Sequence, residues 1–300
     1  MSEKINITFL GTGSSVPTLR RNHPAVLLSY KAEAMLFDCG EGTQKQFRKA
    51  GISPMSVKRI FITHWHGDHI LGLPGLLQTL VLNGYDKEME VYGPKGTKQF
   101  MQKILEMFVH VGDIKVKVYE VSNGLVFETE DFIIFAEEMM HNARCLAYSF
   151  IEKDKTRIDK KKLRKFKLPS SPELQKLKQG KDIVVNGKKI KAKDMTYLEK
   201  GRKVSIVLDT QINDNIEKIA KDSDLLICEA TYLDEDELAR EYRHMTAKQA
   251  SLIAKKSKVK KLVLMHLSQK YERKEKEFLQ EARKTFKNTE LAEDLMKVEV

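Results

Sequence analysis

Residues 59–69 read Arg59-Ile60-Phe61-Ile62-Thr63-His64-Trp65-His66-Gly67-Asp68-His69. The first five are rich in aliphatic and aromatic side chains and read as a buried strand. Gly72-Leu73-Pro74-Gly75 and Leu76–Leu82 follow, a helix pattern with its proline in the first turn, where a missing N–H costs nothing. Three histidines and an aspartate therefore fall on a loop between a strand and a helix. His64 and His66, two apart, can offer two imidazoles to one ion. Asp68 and His69 point to a second position nearby. Imidazole with carboxylate is a zinc-type ligand set. Two metals about 3.5–4 Å apart clamp the oxygens of a displacement at phosphorus. The plainer reading, surface polar residues on a turn, does not explain four ligand-type residues in six positions between two apolar segments.

The flanking chain supplies more strand ends. Lys4–Leu10 alternates and reads as a strand, followed by the turn Gly11-Thr12-Gly13-Ser14-Ser15 and a second strand near Ala25–Ser29. The turn lacks the lysine and helix of a phosphate-binding P-loop, so no nucleotide cofactor is expected. Met35–Phe37 leads into Asp38-Cys39-Gly40-Glu41-Gly42-Thr43 and a helix through about Lys49. Asp38 either orients a metal ligand or caps the turn after it. Strands are expected at 89–93, 113–121 and 132–139, with a helix at 97–109. His141 follows the last of these strands, and 147–151 returns beside it. Further strands at 203–208, 225–229 and 261–265 end near Asp209, Glu229 and His266. Asp209 reads alternatively as the N-cap of a helix at 211–221. A charged amphipathic helix from Lys270 onward suggests only solubility or dimer contacts.

These motifs, in this order, resemble the RNase Z family of the metallo-β-lactamase superfamily. The loop 63–77, the segment Asp38-Cys39-Gly40-Glu41-Gly42-Thr43-Gln44, Asp209-Thr210, Glu229-Ala230-Thr231, His244-Met245-Thr246 and His266-Leu267-Ser268 carry the resemblance, which covers most of the chain. His-x-Thr is the most discriminating of them after the metal loop. Departures from the family pattern are Leu19 for the lysine of a Pro-x-Lys-x-Arg-Asn motif whose Pro17, Arg21 and Asn22 match, Leu208 for glycine, and Cys228 for histidine. The resemblance implies an α/β fold, the metallo-β-lactamase αββα sandwich, as a single domain over 1–300. It also implies a protruding basic arm, at about 152–203, inserted before the bridging aspartate.

The implied activity is zinc-dependent removal of the 3′ trailer from tRNA precursors. A 3′-hydroxyl stays on the tRNA and a 5′-phosphate on the trailer. Two Zn²⁺ per subunit are implied, with Mn²⁺ also compatible with His/Asp sites. His64, His66, His141 and Asp209 would hold one, and Asp68, His69, Asp209 and His266 the other. Asp68 would accept the proton of the attacking water, and His244 would protonate the leaving oxygen with Glu229 orienting it. A homodimer is implied by the family alone.

Charge agrees with a polyanionic substrate. Net charge is +11, and residues 152–203 hold 19 Lys and Arg against 7 Asp and Glu, while the rest of the chain holds 34 against 35. The excess sits in one segment, so a basic appendage on a near-neutral body is expected to grip RNA phosphates. Lys160, Lys161, Lys162, Arg164 and Lys165, on a short cationic helix, are the expected contacts, with Arg21 near the cleft. A second short helix should end at Gly180, and Asn186-Gly187 should turn a hairpin. Pro169-Ser170-Ser171-Pro172 stands where the family often has a Gly-Pro-rich tip.

Cys39, Cys145 and Cys228 are too few and too separated for a disulfide framework, which suggests a reducing cytoplasm. No membrane span or signal peptide is expected. Two rival readings use the same residues. One is a phosphodiesterase for small or cyclic phosphodiesters, with no use for a basic arm. The other is an RNA-binding protein with a degenerate site.

Overall fold

The computed structural model describes residues 3–107, 112–166, 173–185 and 187–300. Two units emerge, one built from 1–128, 133–150 and 203–300, the other from 129–132 and 151–202.

The larger unit contains two seven-stranded sheets. The first uses Ile5–Gly11 (β1), Ala25–Tyr30 (β2), Glu33–Phe37 (β3), Val57–Phe61 (β4), Met89–Gly93 (β5) and Val116–Glu120 (β6). The second uses Gly124–Glu128 (β7), Phe132–Met140 (β8) and Arg144–Glu152 (β9), continuing after the smaller unit. That unit holds Lys155–Ile158 (β10), Ile183–Val185 (β11), Lys188–Ile190 (β12) and Thr196–Glu199 (β13). Lys203–Val207 (β14), Leu225–Glu229 (β15), Lys261–Met265 (β16) and Thr289–Leu291 (β17) complete the second sheet, and Lys297–Glu299 (β18) returns to the edge of the first. The spatial orders are β18-β1-β2-β3-β4-β5-β6 and β17-β16-β15-β14-β9-β8-β7.

The sheets meet through aromatic rings. Phe37 and Phe61 of the first sheet stack at 5.0 Å, and Tyr148 of β9 meets Phe61 edge-on at 5.4 Å. Tyr30 and Phe150 repeat the contact at 5.3 Å. Outer faces are covered by helices, as amphipathic segments require. Phe47, Leu73, Leu76, Leu77, Leu80, Met101 and Ile104 pack on the first sheet. Ile216, Ile219, Ala250, Ile253 and Phe278 pack on the second. This is the expected αββα sandwich.

Register matters for the site. Parallel pairing sets Phe37 beside Phe61 and Phe61 beside Tyr92. In the second sheet it sets Val207 beside Cys228 and Cys228 beside Leu264. The carboxyl ends of β3, β4, β14, β15 and β16 therefore finish level with one another, where α/β sheets place ligands.

The C-terminal segment differs from expectation. Glu275–Thr285 is a helix, but the chain then adds β17 and β18, one strand to each sheet. Its Asp294 accepts hydrogen bonds from Thr12 Oγ1, Asn22 N and Gln46 Nε2 at 2.7–2.8 Å. The tail is thus a structural closure of both sheets. The helix expected at 211–221 covers Asp214–Ala220, and its cap is Asn213, which leaves Asp209 free of that duty.

The smaller unit has its own apolar cluster, Leu174, Leu177, Ile183, Ala192 and Met195, with Ile158, Leu163, Val185 and Ile190 against it. β10 pairs antiparallel with β13, and β11 with β12 through the turn at Gly187, whose φ is +73°. Asp159 caps the Lys160–Lys165 helix by accepting from the backbone of Lys161 and Lys162. Leu163 turns toward the cluster while Lys160, Lys161, Lys162, Arg164 and Lys165 are exposed. The expected stop of the second helix is at Gly180, with φ +77°. The Pro169–Pro172 stretch and Asn186 lie outside the described residues.

Candidate metal centre

The loop after β4 is built by abrupt backbone turns at strand ends. Asp38, Asp209 and His266 each follow β3, β14 or β16 and take positive φ, +56°, +26° and +63°. Side chains other than glycine rarely adopt that region, and such strain clusters at functional sites. A tight neighbourhood also demands Gly40. A Cβ there would lie 2.4 Å from His23 Cβ and 2.5 Å from the Asp68 carbonyl. Trp65 anchors the loop from outside, with Nε1 donating to Thr97 Oγ1 at 2.9 Å and its ring stacked on Phe100.

The strand ends bring seven side chains together. His64, His66, His141 and Asp209 offer ligand atoms within 4.8 Å of one another, as do Asp68, His69, Asp209 and His266. Asp209 belongs to both groups. Its Oδ2 faces His64 and His141 at 3.6 and 3.7 Å, and its Oδ1 faces His69 and His266 at 3.3 and 3.0 Å.

Four of the five imidazoles, all but His66, are oriented from behind. Asp38 Oδ2 lies 2.7 Å from His69 Nδ1 while its carboxylate accepts from Thr63 N and Oγ1. Thr63 Oγ1 meets His64 Nδ1 at 3.0 Å, Thr231 Oγ1 meets His266 Nδ1 at 2.9 Å, and the Arg243 carbonyl meets His141 Nδ1 at 3.1 Å. The opposite nitrogens of these four rings, Nε2, turn inward, and His66 meets those of His64 and His141 through Nδ1. Such outer partners fix the ring and the tautomer of a metal ligand.

These inward atoms fit a divalent cation. His69 Nε2, His266 Nε2 and Asp209 Oδ1 are buried and hydrogen-bond to no protein group among the described residues. Buried polar atoms are seldom left so, and histidine with carboxylate is a donor set for zinc or manganese. Burial pushes the His64 and His141 imidazoles below their ordinary pKa, toward the neutral form a ligand needs. Burial opposes ionisation of Asp209, yet His266 and His69 hold its carboxyl well below the usual range. Burial likewise opposes charge on His266, but Asp209 and Asp68 raise it to about 9. The concentrated negative charge responsible is equally a cation trap, and binding a metal there displaces protons.

Beside this row, His244 Nδ1 lies 3.0 Å from Oε1 of the fully buried Glu229. Glu229 also accepts from Thr210 N, Thr231 Oγ1 and Met245 N. Burial lowers the His244 pKa and Glu229 raises it, with a net upward shift. Asp68 Oδ2 accepts from Ser15 N at 2.9 Å.

Arg21 requires correction as a substrate contact. It is buried, and its Nη1 donates to Thr12 Oγ1 at 2.8 Å and to the Ala292 carbonyl at 2.6 Å. It ties the tail to the first strand. Leu19, by contrast, is fully exposed. Sequence reasoning did not single out Thr63, Thr231, Ser15 or His23. Thr63, opening the loop, and Thr231, within the Glu229-Ala230-Thr231 motif, carried a signal that could have found them.

The chain is 40% identical over 298 residues to a ribonuclease Z of Methanothermobacter thermautotrophicus, covering 99% of this chain and 97% of that one. The structure is similar to the short form of human tRNase Z, with TM-score 0.72, 29% identity and 98% of both chains covered. It is also similar to the metallo-β-lactamase fold protein YhfI from Bacillus subtilis, with TM-score 0.73, 17% identity and both chains covered in full, a likeness of fold. A family model described as anti-Pycsar protein Apyc1 matches residues 5–150. With paired ligand groups at level strand ends and a near-full-length relative at this identity, the chain belongs to the ribonuclease Z family of metallo-β-lactamase-fold hydrolases.

Proposed function

We propose that this protein is a metal-dependent endoribonuclease that cuts the 3′ trailer from tRNA precursors, leaving a 3′-hydroxyl on the tRNA and a 5′-phosphate on the trailer. The observation that carries the proposal is Asp209, whose two oxygens face two separate ligand groups. Two Zn²⁺ per chain are the proposed ions, one held by His64, His66, His141 and Asp209, the other by Asp68, His69, His266 and Asp209. Bound there, they supply Lewis acidity toward the phosphoryl oxygens and a water acidic enough to react at neutral pH.

The chain's own residues then handle protons and position. Asp68, steadied by the Ser15 N–H, accepts the proton of the water that attacks phosphorus. His244 gives a proton to the leaving 3′ oxygen, and Glu229 holds its ring in place. Atoms balance, since water's oxygen joins the trailer phosphate and the tRNA oxygen leaves as a hydroxyl.

The 151–202 unit is proposed as the tRNA-gripping arm. Lys160, Lys161, Lys162, Arg164 and Lys165 are exposed, and among the described residues none of them forms an ion pair. Lysines that neutralise phosphates without reading bases suit A-form stems, which are recognised by shape and backbone. A homodimer is the proposed assembly, checked by light scattering. A cytoplasmic setting is proposed on the three buried free cysteines. Among the described residues no helix is long and apolar enough to cross a membrane.

The decisive experiment is end-labelled pre-tRNA incubated with zinc-loaded protein and the cut mapped to the nucleotide. One cut just 3′ of the discriminator base, lost with chelator, is the expected result. A second reading, a hydrolase of small phosphodiesters, would use the same donor groups without the 151–202 unit. Deleting 152–203 separates the two. Loss of pre-tRNA cleavage with retained small-ester hydrolysis supports the tRNA reading.

A further inference from the structure

A cavity of about 470 Å³ lies beside the metal row, lined by residues at the ends of β5, β6, β8 and β9, Ser122 and Cys145 among them. Its size falls in the range of about 300–1,000 Å³ usual for small-molecule sites. The floor is apolar, from Val121, Met139 and Leu146, and two exposed cations, Lys95 and Arg144, stand over it with one carboxylate, Glu138. Among the described residues neither cation is within ion-pair distance of a carboxylate, so both remain available to an anion.

Topology fixes which side of the metals it occupies. Along the carboxyl edge of the second sheet the order is His266 after β16, Glu229 ending β15, Asp209 after β14, Cys145 starting β9 and Met139 near the end of β8. Along the first sheet it is Asp38 after β3, His64 beyond β4, Lys95 beyond β5 and Val121 after β6. The cavity is the next position past His64 in the first row and adjoins the β8–β9 turn that carries His141 in the second, on the flank away from His266; the His244 ring stands between the two ends, 5.1 Å from His141 and 5.5 Å from His266. It is also joined directly to the site. Cys145 Sγ donates to the Asp209 carbonyl at 3.3 Å, and Leu146 N donates to the Thr63 carbonyl at 2.9 Å.

Strand direction follows from the proton donor. The proposed leaving oxygen belongs to the tRNA and meets His244, which does not line the cavity, so the tRNA end approaches on the His244 side. The RNA that continues past the cut must leave on the other. A stacked A-form stem is too large for a 470 Å³ space, but one unpaired nucleotide fits. We propose that this cavity receives the first nucleotide of the trailer, its base on the apolar floor, and that Lys95 and Arg144 hold the phosphate linking it to the second. The proposal rests on the tRNA-processing reading.

Trailer length tests it, because a one-nucleotide trailer lacks that second phosphate. Two precursors share a tRNA body and carry trailers of one or several nucleotides. For wild type, kcat/KM should be higher on the longer trailer. Lys95→Ala with Arg144→Ala should lower kcat/KM on the longer trailer about tenfold, the scale of a charge-assisted hydrogen bond, and leave the one-nucleotide substrate unchanged. Ser122→Trp, which fills the cavity, should lower activity on both RNA substrates while hydrolysis of bis(p-nitrophenyl) phosphate stays unchanged. Equal loss on both trailers in the Lys95/Arg144 variant, or no loss on either, overturns the proposal and leaves the tRNA reading standing. A wild-type protein that cuts neither precursor but hydrolyses the small diester overturns both.

Discussion

Asp38 Oδ2 sits 2.7 Å from His69 Nδ1, and neither side chain is exposed to solvent. The aspartate that sequence leaves as either ligand support or turn cap is therefore the group behind one imidazole of the Asp68/His69/Asp209/His266 donor group. Asp38→Asn keeps a residue that tolerates positive φ and removes the charge. Metal affinity at the Asp68/His69/His266 group should fall about 10–100-fold. Chelator competition followed by metal analysis measures this, and unchanged affinity would remove Asp38 from the supporting role.

Asp209 faces both ligand groups, whereas His141 faces one. Asp209→Ala should abolish stable binding of both ions, while His141→Ala should preferentially lose one. Metal content per chain after gel filtration distinguishes them. Equal stoichiometry in the two variants would contradict a bridging carboxylate.

His244 borders the metal row without belonging to either four-residue ligand group, although with Glu229 and His266 it forms a third cluster of metal-type donors. As general acid, His244→Ala should lower kcat about 10²–10⁴-fold with metal content intact. Loss of an ion in this variant would reassign it as a ligand. Glu229→Ala should do more harm, because it strands the N–H groups of Thr210 and Met245 in a buried site. A cost of about 1–3 kcal/mol per unsatisfied group is expected, visible as a lower Tm.

At Gly40, an added methyl meets backbone and His23 at 2.4–2.8 Å. Gly40→Ala should destabilise the fold by about 1–3 kcal/mol, the usual cost of overpacking. Because the Asp68 carbonyl is one of the atoms met, activity should fall beyond what lost stability explains. Thermal unfolding and turnover on the remaining folded fraction test both parts.

Neutralising Lys160, Lys161, Lys162, Arg164 and Lys165 together should weaken pre-tRNA binding across different tRNAs alike. Each phosphate contact removed should flatten the slope of log affinity against log salt by about 1. An unchanged slope would show that this helix does not meet the RNA backbone.

By itself the sequence determined the metal loop, because four ligand-type side chains within six residues need no distant partner to be recognised. It also determined the helices and the longer strands, whose apolar periodicity is a local property, and the charge of the 152–203 segment. His141, Asp209 and His266 each close an apolar run, but it was the family resemblance that marked them as ligands; level strand ends then bring them together. Tertiary structure alone decided the rest. Strands β17 and β18 are three residues each and owe their form to the sheet edges they join. Arg21 looked like a cleft residue until the Ala292 carbonyl, 271 positions later, took its guanidinium. Asp294 reaches back 282 positions to Thr12, and Thr231 crosses 35 to orient His266. Hydrogen bonds of this kind depend on how two sheets and their edges come to lie together, and no local window of sequence encodes that.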